Sequence, residues 1–251
     1  MELSIPVVIT ICALFFIIAL LYSSVGHGGA SGYLAVLSFF SFVPMQMSTT
    51  ALILNLLVAG TSFISFCRAG HFSAKLTYPF LITSVLAAFL GGMIIVSPRA
   101  YSLLLAVVLL FAAFRLIIEI RPAPEISVSK FPSLLVALPV GAGIGLISGI
   151  VGVGGGIFLS PLILFMKWAY PKQTSATSAC FILVNSLAGL LGRFTGGSLE
   201  IGMLAPFVFT AFLGGLVGSY MGANLLSGSI LRRILGVILL IASYKLLKLS
   251  L

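Results

Sequence analysis

The sequence predicts an all-α, polytopic membrane protein made of two inverted repeats of about five hydrophobic segments each. Three observations carry that expectation. The 251 residues are 61% hydrophobic and only 7% charged, whereas soluble proteins carry about a quarter charged residues. Apolar runs of about 20 residues, long enough to cross a bilayer, recur along the chain, and mean hydropathy is +1.30. Finally, a glycine-rich stretch in the first half returns in the second. Gly26, Gly28 and Gly29 match Gly152, Gly154 and Gly155 at a constant offset of 126, and Gly156 extends the later stretch.

The apolar segments of the first half run over 3–25, 33–43, 48–67, 76–96 and 101–120. Those of the second half run over 133–151, 157–168, 174–192, 201–226 and 231–249. Between them lies the one extended polar stretch, Pro- and charge-bearing. The organisation is therefore a first repeat over 1–120, a cytoplasmic linker over 121–132 and a second repeat over 133–251. The second segment of each half is about a dozen residues, too short for a comfortable helical span at 1.5 Å per residue. Whether these two segments cross or re-enter is left open, so the chain has eight to ten transmembrane segments. Glu2 and the absence of a basic leader mark the first segment as retained, not a cleaved signal peptide.

The repeat extends beyond the glycines. Pro44, Gln46 and Ser48 line up with Pro171, Gln173 and Ser175 at offset 127. Farther on, a drifting offset pairs Asn55 with Asn185, Arg68 with Arg193, and Phe89-Leu-Gly-Gly92 with Phe212-Leu-Gly-Gly215. With ten crossings and the N-terminus outside, nine Lys or Arg residues fall on the cytoplasmic side and four outside. That bias sets the orientation. Five crossings per half turn the second repeat upside down relative to the first.

The net charge of +9 is scattered at segment ends, which excludes a nucleic-acid patch. Cys12, Cys67 and Cys180 lie in apolar segments without C-x-x-C spacing and read as packing residues. No cofactor or metal is expected. No Walker loop, Ser-His-Asp set or H-E-x-x-H motif is present, so the chain reads as neither an ATP-driven motor nor an enzyme. The acidic residues, Glu2, Glu119, Glu125 and Glu200, all lie outside segment centres, whereas carboxylates mark most intramembrane proton and cation sites.

Candidate binding residues follow from the glycines. Glycine costs roughly 1 kcal/mol in a helix interior, so these clusters break the helix and free backbone N–H groups that suit a small anion. Gly26, Gly28, Gly29, Gly152, Gly154, Gly155 and Gly156 are thus candidate site residues. The four-residue spacings of Gly141–Gly149 and Gly214–Gly222 read instead as helix-packing stripes. Asn55, Asn185 and Ser178 place amides and a hydroxyl in apolar segments, for either helix–helix bonding or substrate contact. Gln46 and Gln173 serve the freed backbone or the substrate; capping by Ser48, Thr174 and Ser175 is the alternative for that region. Arg193 is a substrate cation, an interfacial anchor or a partner of Glu200. His27 is a proton relay or a structural histidine, and its repeat partner Val153 favours the second.

These motifs resemble the sulfite exporter TauE/SafE family of membrane permeases. The likeness rests on the paired glycine stretches, Ser160-Pro161, Pro171-x-Gln173-x-Ser175-x-Thr177-Ser178 and Asn185-Ser-Leu-Ala-Gly189. The first half departs from it, with His27 among the glycines and Asn55-Leu-Leu-Val-Ala-Gly60 in place of Asn-Ser-Leu-Ala-Gly. The resemblance implies outward transport of small sulfur-containing anions, sulfite or organosulfonates, across a bacterial inner membrane. A channel-like anion pore and uptake of another small anion are the alternatives. The expected partners are the small anion and the lipid bilayer, with a homodimer open to the chain.

Overall fold

The computed structural model describes residues 4–40, 42–117, 131–196, 205–224, 239–241 and 243–248, and all its described elements are helices. The first half forms α1 (Ile5–Ser23), α2 (Ala30–Phe39), α3 (Pro44–Arg68), α4 (Ala74–Met93) and α5 (Pro98–Ile117). The second forms α6 (Leu134–Val151), α7 (Gly156–Phe165), α8 (Pro171–Thr195) and α9 (Ala205–Asn224), and 239–241 and 243–248 are helical as well. Residues 121–130 of the expected linker lie outside the described residues. Among the described residues, six helices are long and apolar enough to span a bilayer: α1, α3, α4, α6, α8 and α9.

Equivalent helices have matching lengths. α2 and α7 have 10 residues each, α3 and α8 have 25, α4 and α9 have 20, and α1 and α6 have 19 and 18. α3 and α8 both begin with proline in the first turn, where its missing N–H costs nothing and its fixed φ favours the helix. They are the most enclosed of the six spans. Half of the apolar stretch of α3 and 67% of that of α8 are buried, against 33–39% for the other four. The pair therefore forms the centre, with lipid-facing helices around it.

Contacts between helices give their directions. Gly214, Gly218 and Gly222 pack against Phe16, Leu20 and Ser24, so α9 runs parallel to α1. Gly215 meets Val58 and Thr61, and Ser65 Oγ donates to Ser219 Oγ (3.1 Å), so α9 also runs parallel to α3. In the same way Gly141, Gly145 and Gly149 pack against Phe80, Ser84 and Ala88, setting α6 parallel to α4. Thr77 bonds Thr177 (3.1 Å) while Gly192 meets Phe89, setting α8 parallel to α4. The two triplets oppose each other, because α3 and α8 are antiparallel: Asn55 meets Ser186, and Leu52 meets Gly189. Equivalent helices thus point in opposite directions. The glycine stripes of α6 and α9 are close-packing surfaces in which a methyl group would strike a neighbouring carbonyl oxygen.

The same registers resolve the short segments. α2 folds back along α1: Tyr22 bonds Ser31 (2.8 Å) and Phe15 packs on Tyr33 (ring centroids 4.8 Å). Yet α1 and α3 are parallel, so residues 24–43 must return the chain to the end where α1 began. Each short segment therefore completes a crossing, with α2 or α7 as its helical part. The basic residues separate by end. Lys75 (over the Phe131 ring) and Lys172 (bonded to Ala223 O, 3.0 Å) lie at one end, Lys245 (bonded to Ser38 O, 2.9 Å) at the other.

Candidate functional site

The two glycine stretches unwind as the sequence predicts. Gly26 and Gly29 have φ of 76° and 94°; Gly152, Gly154 and Gly155 have 88°, 73° and 82°. These left-handed conformations exclude most side chains. Gly29 and Gly155 are the N-caps of α2 and α7, and neither helix has a side-chain cap. The first amides of both short helices thus lack intrahelical acceptors and carry the positive end of the helix dipole.

Both helix starts face the crossing of α3 and α8. Asn55, fully buried at mid-α3, lies between them. A methyl at Gly28 would strike its Oδ1, and one at Gly154 would stand 2.8 Å from its Nδ2. Nδ2 also donates to Ser186 Oγ (3.4 Å), and no donor among the described residues reaches Oδ1. Outward from this centre, contacts repeat with the symmetry of the halves. Gly26 packs on the backbone of Ser175 in α8, and Gly152 on that of Ser48 in α3.

Several expected residues sit elsewhere. Asn185 is buried three residues beyond Ile182 and donates to Phe181 O (2.9 Å); Ser186, beside it, is the residue that meets Asn55. The pairing of Asn55 with Asn185 is therefore corrected. α3 and α8 correspond at the unbroken offset of 127 from their first prolines, which puts Ile182 opposite Asn55 and Thr195 opposite Arg68. Ser178 lies on the other side of the second break, where its Oγ is 2.7 Å from Ser160 Oγ. Ser160 Oγ is in turn 3.0 Å from His27 Nε2, while His27 Nδ1 faces Val25 O at 3.0 Å. His27 thus joins the first break to α7 and α8.

Arg193 is buried at the outer end of the second break. Its Nη2 donates to Gly149 O (2.9 Å) and Ile150 O (2.8 Å), and its Nη1 approaches Met45 Sδ (3.6 Å). It holds the carbonyl end of α6, with Tyr101 OH donating to the neighbouring Val151 O (3.0 Å). Gln46 is half-buried in the first turn of α3, two residues before Ser48. Gln173 Oε1 accepts from Tyr170 N (3.4 Å) at the start of α8. Capping by Ser48 and Thr174 is not found. Val43 and Tyr170 are the N-caps, and Ser48 and Thr174 bond back to Pro44 O (2.8 Å) and Tyr170 O (3.0 Å). Sequence reasoning missed Ile182 and Tyr101; the uninterrupted offset of 127 was the available signal for Ile182.

No cluster of three or more metal-ligating side chains occurs among the described residues. The family model for the sulfite exporter TauE/SafE matches residues 11–246. A relative named probable membrane transporter protein y4hK, from Sinorhizobium fredii, is 38% identical over 235 residues, covering 93% of this chain and 95% of its own length. No solved structure matches. With its apolar spans, the chain is a multi-pass bacterial membrane transporter, not an enzyme, and it belongs to the sulfite exporter TauE/SafE family.

Proposed function

We propose that this transporter moves a small sulfur-containing oxyanion outward, binding it where the two glycine breaks meet. The observation that carries the reading is the convergence of Gly28 and Gly154 on one buried amide, Asn55, at the α3–α8 crossing. Each of these glycines directly precedes the N-cap of a short helix, and the starts of broken helices hold anionic groups in other carriers. Asn55 and Ser186 add hydrogen-bonding side chains beside them.

The pseudo-symmetric packing supports alternating access. Gly26 on Ser175 and Gly152 on Ser48 close opposite sides of the centre through equivalent contacts between the repeats. Rocking one repeat against the other opens each in turn. The end bearing Lys75 and Lys172 is the cytoplasmic one by the positive-inside rule. Purified protein in liposomes, assayed with sulfite, thiosulfate, sulfoacetate and sulfate, tests this reading: saturable flux of at least one sulfur oxyanion is expected. Conductance that never saturates would indicate a channel, and no anion flux would overturn the reading.

A further inference from the structure

One position breaks the symmetry of the centre. Pro44 and Pro171, Gln46 and Gln173, and Ser48 and Ser175 correspond at offset 127. The two serines verify the register in three dimensions, since each packs on the first left-handed glycine of the opposite repeat. The same offset carries Asn55 onto Ile182. Both are buried, and both touch both breaks. Ile182 Cγ2 lies 3.2 Å from a methyl placed at Gly28 and 2.7 Å from one at Gly154. At Gly154 that methyl would also stand 2.8 Å from Asn55 Nδ2 and 3.0 Å from Ser186 Oγ. The meeting point of the breaks thus has an amide from α3, and a hydroxyl and methyl groups from one face of α8, around it.

Resting on the oxyanion reading above, the geometry points to Ile182 as the selectivity residue of the site. It admits anions that present three oxygens to donors and an oxygen-free fourth position, and it rejects four-oxygen anions. Sulfite offers a sulfur lone pair at that position and an alkylsulfonate offers carbon; neither needs a donor. Sulfate or phosphate would place an oxygen against the Ile182 methyls, losing its water with no replacement, and an unpaired buried polar group discriminates strongly. In a strictly symmetric protein an asparagine would stand here and supply the missing donor.

The test uses full-length protein in liposomes and compares uptake of radiolabelled methanesulfonate and sulfate, two anions of similar size. Wild type should favour methanesulfonate, and an equal concentration of sulfate should leave methanesulfonate uptake unchanged. Ile182→Asn should raise the sulfate-to-methanesulfonate ratio by about tenfold, equivalent to ~1.4 kcal/mol. Ile182→Thr, which keeps the branched shape, should move the ratio in the same direction and serves if the asparagine variant does not fold. An unchanged ratio in a variant that still carries methanesulfonate overturns the assignment while leaving the anion reading standing. So does wild-type uptake blocked by sulfate, whatever the variants do. Wild-type protein that carries neither methanesulfonate nor any of sulfite, thiosulfate, sulfoacetate and sulfate overturns the anion reading itself.

Discussion

His27 Nε2 stands 3.0 Å from Ser160 Oγ, across the boundary between the two repeats. Because Nδ1 faces the acceptor Val25 O, it carries the proton of the neutral ring, and Nε2 accepts from Ser160; in the charged ring Nε2 donates to it instead. Either protonation state keeps the bridge, since the serine hydroxyl can turn. The bridge therefore needs a hydrogen-bonding side chain more than a titrating one. His27→Gln should retain most transport at fixed and equal pH. His27→Leu removes the bonds and should cost about 1–3 kcal/mol of stability, read as a lower unfolding midpoint in detergent. Normal stability in the leucine variant would show the bridge to be incidental.

Gly28 offers a cleaner test of the breaks than the left-handed glycines. Its φ lies outside the left-handed range, so alanine is tolerated by the backbone, yet the added methyl would strike Asn55 Oδ1 at the centre. Gly28→Ala should insert and fold while transport falls at least tenfold. Gly218→Leu should behave oppositely, because Gly218 packs on Leu20 O and Ser23 Oγ between α1 and α9. Folded yield should collapse there. Full transport by Gly28→Ala would move the site elsewhere.

Arg193 is best tested by separating affinity from stability. Its planar fork reaches two carbonyls at once, which a lysine cannot reproduce. Arg193→Lys should lower the unfolding midpoint, with a loss of about 1.5–3 kcal/mol, and leave the apparent KM for the anion within a few-fold. A tenfold higher KM at unchanged stability would instead place the guanidinium on the substrate.

Much of this architecture was legible in the sequence, and what escaped has physical reasons. Glycines announced the breaks because few other residues tolerate their backbone angles; repeated prolines at 44 and 171 announced the central helices. The crossing of the short segments was not legible. It follows from α1 and α3 running parallel, a tertiary relationship that hydropathy does not encode. Asn185 drew attention because it is the conspicuous amide of its segment. A helix turns 100° and rises 1.5 Å per residue, so an error of three positions in the repeat alignment swings a side chain by about 60° and shifts it about 4.5 Å along the axis. Asn55 therefore faces Ser186 and Ile182 instead. Arg193 read as an available cation because its partners, backbone carbonyls and a thioether, leave no trace in a sequence pattern.

Orientation can be read with impermeant thiol reagents in a cysteine-free background. Lys75→Cys should resist labelling in intact cells, as should a cysteine at position 130 of the linker. Arg99→Cys, in the first turn of α5 just after α4 ends, should label readily. Reversal of that pattern would invert the topology.

The driving force follows from the acid-poor interior. A monovalent anion leaving an inside-negative cell gains about 2.3 kcal/mol per 100 mV. At a factor of ten per 1.4 kcal/mol, that sustains a gradient of nearly fifty-fold. Outward movement of such an anion requires no coupled cation, and α3 and α8 bring amides and hydroxyls, not carboxylates, to the centre. A potassium–valinomycin potential, negative on the substrate side, should therefore drive sulfite flux with pH equal on both sides. Bisulfite carries its own proton and can imitate coupling, so a fully ionised sulfonate must give the same result. Flux that instead demands an imposed pH gradient and vanishes in His27→Gln would make this a proton-coupled carrier. The chain from His27 through Ser160 to Ser178 would then be its relay.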